Sequence, residues 1–189
     1  MPEPSPKAAL RRHHSALRDA LPPLDREVLS ARVCRHVDAL CRERGYRSVA
    51  AFWPLGSEID LRPLVDANPF LDFLFPRIVK KDPPRLAWGP RPLGPGTWGL
   101  QEPLEAPFAT PPVQLVLVPG LAFAADGHRL GYGKGFYDEV LRRLPPGVAT
   151  LGAGFSFQRV ASLPATPGDV PVRGIVDEDG IRWIGPTPA

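Results

Sequence analysis

The chain has 189 residues, enough for one domain with a sizeable core and too few for two full ones. Its 43% apolar and 23% charged residues are those of a globular protein, and two cysteines, Cys34 and Cys41, are too few for a disulfide scaffold. No apolar run approaches the roughly 18 residues of a membrane span, and the first residues lack the apolar core of a secretory signal, so the expectation is one cytoplasmic domain over 1–189.

In chain order, apolar positions predict a helix over 5–21, stopped by Pro22-Pro23. A second helix is predicted over 25–44, with Val28, Leu29, Val33, Val37, Leu40 and Cys41 as its apolar stripe. Asp25 is its expected N-cap and Gly45 its C′ residue. The cysteines lie seven apart on one face of this helix and read as packed free thiols. Residues 48–53 read as a buried strand ended by Pro54, and 60–67 as a short helix with Pro63 in its first turn. Residues 70–75, ended by Pro76, form a second strand and 85–88 a third. The stretch 89–112 is rich in Pro and Gly and reads mostly as loop, long enough to be functional. Residues 114–118 are uniformly apolar, the mark of a strand covered on both faces. A helix over about 135–144 and a strand over 148–154 follow. Apolar strands alternating with helices predict an α/β layered fold with a mainly parallel sheet.

Charge is uninformative, with a net +3 from 19 Arg and 4 Lys against 20 acids; it fits one local anion site as well as nucleic acid. Many of the 26 prolines stand in punctuating pairs, as rigid turns. His13, His14, His36 and His128 show no metal-ligand spacing, so no zinc site is expected.

The chemistry concentrates in Pro119-Gly-Leu-Ala-Phe123 and in Asp126-Gly-His-Arg129-Leu-Gly131-Tyr-Gly133-Lys134-Gly135-Phe-Tyr137-Asp138. A buried strand feeds a loop with glycines at alternate positions, and a helix begins where they end. Such a loop can bring backbone N–H groups and a helix N-terminus to phosphate oxygens. Arg129 and Lys134 add full charges, and Asp138 in the first helical turn could hold a magnesium ion against those phosphates. The spacing is neither that of a Walker loop nor that of the dinucleotide fingerprint. The plainer alternative is a turn that needs positive φ, with Asp138 matched to the helix dipole.

The stretch from Leu117 to Phe123 and from Arg129 to Asp138 resembles the signature of the 5-formyltetrahydrofolate cyclo-ligase family, also called methenyltetrahydrofolate synthetases. Weaker likenesses follow in order: Lys7-Ala-Ala-Leu-Arg11, Phe52-Trp-Pro-Leu-Gly-Ser-Glu58, Phe75-Pro76, Gly99 to Pro103, Phe157-Gln158, Leu163-Pro164 and Asp169. The resemblance implies a three-layer Rossmann-like fold, similar to the sugar-phosphate isomerase and coenzyme A transferase group. It also implies conversion of 5-formyltetrahydrofolate to 5,10-methenyltetrahydrofolate, with ATP as co-substrate and Mg2+ as cofactor, releasing ADP and phosphate.

The same resemblance assigns ATP to Lys7, Arg11, Arg129, Leu130, Gly131, Tyr132, Gly133, Lys134, Gly135, Phe136 and Tyr137. It assigns the folate to Trp53, Glu58 and the stretch Tyr132, Gly133, Lys134, Gly135 and Phe136, and the metal to Asp138 and Asp169. Arg129, Lys134 and Glu58 are the expected catalytic groups. Lys7 and Arg11, four apart on a helix, can reach one anion. Phe52 reads as core, and Trp98 and Gln158 as lining candidates. The surroundings of Asp169, Pro171 to Asp177, depart from the family's usual ending. Expected partners are small molecules, with no nucleic acid and no membrane, and a monomer is the expected state. The alternatives are a polyanion-binding protein that keeps the loop without turnover, and a kinase-like enzyme with another acceptor.

Overall fold

The computed structural model describes residues 6–185. Its helices are α1 (Pro6–Asp19), α2 (Pro23–Arg44), α3 (Arg62–Ala67) and α4 (Phe136–Arg143). The strands are β1 (Ser48–Ala50), β2 (Asp72–Lys80), β3 (Arg85–Gly89), β4 (Leu93–Pro95), β5 (Gln101–Pro103), β6 (Leu115–Pro119), β7 (Ala122–Ala124), β8 (Arg129–Leu130), β9 (Ala149–Ala153), β10 (Arg159–Val160), β11 (Gly174–Asp177) and β12 (Gly180–Trp183). Position 5, the expected start of the first helix, lies outside the described residues.

The main sheet runs β12-β11-β9-β6-β1-β2-β3. Pairings from β11 through β2 are parallel, and the edge strands β12 and β3 are antiparallel. The alternation of β6 shows how the layers form. Leu115 and Leu117 enter a core with Val33, Val37 and Leu40 of α2 and Leu64 and Val65 of α3. Val116 and Val118 enter a second core with Val140 of α4 on the opposite face. A strand buried on both sides between helices is the parallel-sheet arrangement that the uniform apolar run predicts. Phe123 sits against the sheet so closely that a Cβ at Gly152 would come 2.5 Å from its ring, so that contact requires glycine.

Several expectations are corrected. Asp25 does not cap α2: Pro22 holds the cap position and Pro23 opens the helix, where its fixed φ is preorganised, leaving Asp25 in the first turn. Gly45 does end the helix in the left-handed conformation, φ +64°. Val28 is 54% exposed and outside the stripe. Both cysteines are buried free thiols, each pushed up to about 11 by burial.

β2 does not stop at Pro76 but continues to Lys80. Trp88, opposite Pro76, directs its N–H and carbonyl to Phe108, so the proline nitrogen points away from β3 and no ladder bond is lost. The stretch 89–112 is not simply loop: β4 and β5 pair as a hairpin there. Glu102, buried in that hairpin, accepts from the Ile78 N–H at 3.2 Å and ties it to β2. β11 and β12, unanticipated from the sequence, complete the sheet.

Candidate active site

In open parallel sheets, ligands bind outside the carboxyl ends of the strands where the order reverses. Here the chain moves one way from β1 to β2 and the other way from β6 through β9 to β11, so the reversal lies between β1 and β6. Two segments leave that point: residues 51–61 after β1, carrying Glu58, and the glycine passage after β6. A cavity of about 490 Å³ opens between them, in the range of small-molecule sites.

Every residue assigned to ATP, the folate or the metal lines this cavity. Lys7 and Arg11 reach it from α1, Trp53 and Glu58 from the segment after β1, and the run from Arg129 through Tyr137 from the glycine passage; Asp138 and Asp169 complete the set. Gly133 and Gly135 have φ of +86° and +72°, which favours glycine, and Gly135 caps α4. The first-turn N–H groups of α4 have no partner inside the helix, and its first three residues line the cavity.

The charged side chains form two sets. In the first, Lys7 Nζ lies 2.6 Å from Asp169 Oδ2, which also accepts from the Thr166 N–H and hydroxyl at 2.6 and 2.9 Å. Burial pushes the Asp169 carboxyl up, but those hydrogen bonds together hold it below the usual carboxylate range. Arg129, its side chain only 5% exposed, pairs with Asp138 Oδ1 at 3.1 Å and donates to the Val170 carbonyl at 3.1 Å. Asp138 Oδ1 accepts in turn from the Val170 N–H at 3.1 Å. Burial lowers the Arg129 pKa against the pull of Asp138. Arg11 donates to the Gly131 carbonyl at 2.9 Å, and its guanidinium lies against Gly133.

The second set surrounds Glu58, which is 8% exposed. Glu58 Oε1 accepts a very short hydrogen bond from the Tyr132 hydroxyl, and Oε2 accepts from the Leu55 N–H at 2.9 Å. Burial pushes the Glu58 carboxyl up, while Tyr132, Leu55 and the charge of Arg18 oppose that rise. Sequence reasoning missed Arg18, although it stands seven residues after Arg11 and so on the same face of α1. The Tyr137 hydroxyl is buried with no partner among the described residues.

Apart from Gln101 of β5, the remaining lining is mainly apolar, with Pro76 and Ile78 of β2, Leu86 of β3 and Pro119 of β6. Phe52 is core and also lines the cavity. Trp98, at the turn of the β4–β5 hairpin, is 52% exposed and has a φ of +56°, uncommon for a bulky residue. Lys81 and Lys134 stand 5.0 and 5.6 Å from its ring centre. Gln158 is corrected: it is buried away from the cavity, donating to the Gly120 and Leu121 carbonyls at 2.9 and 3.0 Å and accepting from the Phe155 N–H.

The carboxylates suit a hard divalent cation. The bonds of Asp138 fall on Oδ1 and those of Asp169 on Oδ2, leaving each a second oxygen, and Mg2+ commonly takes one or two carboxylates beside substrate phosphates. Among the described residues no group of three or more His, Cys, Asp or Glu could hold a metal by itself.

Residues 4–178 match the model of the 5-formyltetrahydrofolate cyclo-ligase family. The chain belongs to that family. The chain is 32% identical over 149 residues to the 5-formyltetrahydrofolate cyclo-ligase of Mycolicibacterium smegmatis, a match covering 69% of this chain and 76% of that one. It is 34% identical over 88 residues to the mitochondrial 5-formyltetrahydrofolate cyclo-ligase of Arabidopsis thaliana, covering 41% of this chain and spanning only 32% of that protein. The solved 5,10-methenyltetrahydrofolate synthetase of Aquifex aeolicus superposes with a TM-score of 0.81 at 32% identity, over 97% of this chain and 95% of that one. Among the described residues no helix is long and apolar enough to cross a membrane.

Proposed function

We propose that this cyclo-ligase family member converts 5-formyltetrahydrofolate to 5,10-methenyltetrahydrofolate at the expense of ATP, as one cytoplasmic monomeric domain. The gathering around one cavity of the residues assigned to ATP, the folate and the metal carries the reading. The formyl oxygen attacks the γ-phosphorus of ATP and ADP departs. N10 then adds to the formyl carbon and sheds its proton, and phosphate leaves with the former formyl oxygen. Phosphorylation turns a poor leaving group into a good one, so what remains for the protein is placement and charge neutralisation.

Arg129, Lys134, Lys7 and Arg11 bind the polyphosphate, helped by the N–H groups at the start of α4. Glu58 holds the pterin or its N-formyl region, with Trp53 against the folate. Asp138 and Asp169 would hold Mg2+, which when bound neutralises charge on the phosphates. Trp98 covers the rings from the hairpin.

The test is an absorbance assay of purified protein with 5-formyltetrahydrofolate, ATP and magnesium, with an ATP-free control. ATP-dependent growth of the near-ultraviolet band of the methenyl product is expected. Absence of that band while ATP still binds would leave a phosphate site without this turnover.

A further inference from the structure

α1 turns an unusual face inward. Its buried residues are His14 and Arg18, both polar, and Lys7 and Arg11 lie on the same face and line the cavity. Lys7 and Arg11 reach the first set of charges. Arg18, 5% exposed, reaches the second. Its Nε donates to Ser57 Oγ at 3.0 Å and its Nη1 to the Tyr132 hydroxyl at 2.8 Å. Ser57 in turn donates a very short hydrogen bond to Asp19, the next residue of α1.

The direction of this chain of bonds follows from the donors available. A guanidinium has no acceptor, so the Tyr132 oxygen must accept from Arg18 and its one proton must point to Glu58. The Leu55 N–H occupies the other carboxylate oxygen. Both partners of Glu58 are therefore donors, an arrangement matched to an ionised, acceptor-only carboxylate. The groups facing Glu58 are Arg18 of α1, Tyr132 of the glycine passage and Tyr137 of α4; Asp19 is held one bond further off by Ser57. Arg18 is the only cation among them, and it does not line the cavity.

We propose that Arg18 is a positioning residue: by fixing the Tyr132 hydroxyl as a donor and the 55–58 segment through Ser57, it makes Glu58 present an oriented, ionised carboxylate to the folate. The inference rests on the proposed function for the identity of the ligand, but not for the state of Glu58. Removal of Arg18 leaves Tyr132 free to rotate and a buried carboxylate without its cation, which favours the neutral acid.

The experiment uses full-length protein carrying 13C-carboxyl-labelled glutamate, with the Glu58 signal assigned by its loss in Glu58→Gln. The Glu58 titration midpoint is expected to rise in Arg18→Met, while Arg18→Lys, which keeps the charge, returns it toward the parent. Tyr132→Phe cuts the chain with Arg18 in place, so the double variant should shift the midpoint less than the sum of the single shifts. In turnover, Arg18→Met should raise KM for 5-formyltetrahydrofolate roughly tenfold and leave KM for ATP within about twofold. An unchanged midpoint in Arg18→Met, fully additive shifts, or equal rises in both KM values would overturn the proposal. If Arg18→Met does not fold, Arg18→Lys alone decides: it cannot span Ser57 and Tyr132 together, so an unchanged folate KM would sink the positioning role. A parent without turnover would instead defeat the proposed function, and the titrations would still decide on Arg18.

Discussion

The two sets of charge around the cavity handle the same problem in opposite ways. In the Lys7–Asp169 and Arg129–Asp138 set each cation meets a carboxylate directly, at 2.6 and 3.1 Å. In the Glu58 set the cation is held one hydroxyl away, and Tyr132 carries its influence to the acid. Direct pairs leave groups that can exchange partners when a phosphate arrives. The relayed pair keeps a buried carboxylate exposed to ligand on one side and braced on the other. The contrast fits one region that receives a polyanion and another that recognises ring N–H groups.

Substitutions can break this contrast one side at a time. Arg129→Met should give the largest effect, a fall in kcat/KM for ATP on the order of 10³ with folate affinity little changed, measured by steady-state kinetics and by folate binding without nucleotide. Glu58→Gln should raise KM for the folate about 10- to 100-fold and leave that for ATP unmoved. pH sharpens the same point. Burial raises the Glu58 pKa, so on acidification the carboxylate is lost at a higher pH than for an ordinary glutamate. The folate kcat/KM of the parent should therefore fall on the acid side, and Glu58→Gln should flatten that limb of the profile. Lys7→Met should raise KM for ATP by about tenfold, less than Arg129→Met because the Lys7 pair is more exposed. The smallest effect belongs to a position in neither set: Val28→Glu, on the exposed side of α2, should change stability by less than about 0.5 kcal/mol, read from chemical denaturation.

The parts legible in the sequence are those whose signals are local. The run 114–118 announces a strand covered on both faces because nothing polar interrupts it. The alternating glycines from Gly131 to Gly135 announce a turn before a helix. Much of what escaped depends on pairing partners and not on a local periodicity. β4 and β5 have three residues each and exist only as each other's partner, so no periodicity marks them. β2 passes Pro76 because Trp88 bonds elsewhere, which the local sequence does not encode. β11 and β12 were missed although Gly180, directly after the two-residue turn Glu178-Asp179, is a hairpin signal. At the site, the motif residues were legible, but the support beneath Glu58 was not. Arg18 looks like one more surface arginine until the fold brings Tyr132 to it. Gln158 errs the other way, a motif residue that serves the backbone of the turn after β6 and not the cavity.

Val170 has a further consequence. Its carbonyl accepts from Arg129 and its N–H donates to Asp138, so the main chain is clasped by both members of one ion pair. Asp169, the residue before it, is clasped by Lys7. A polyphosphate that draws Arg129 and Lys7 toward itself thus withdraws two fasteners from the 166–170 segment, and the two aspartates then face the incoming anion. Under the proposed function, nucleotide entry would be a substitution reaction among ion pairs, not an addition to vacant cations. A bare polyanion meets two newly uncovered negative charges, whereas one escorted by its own counter-ion brings the cover with it.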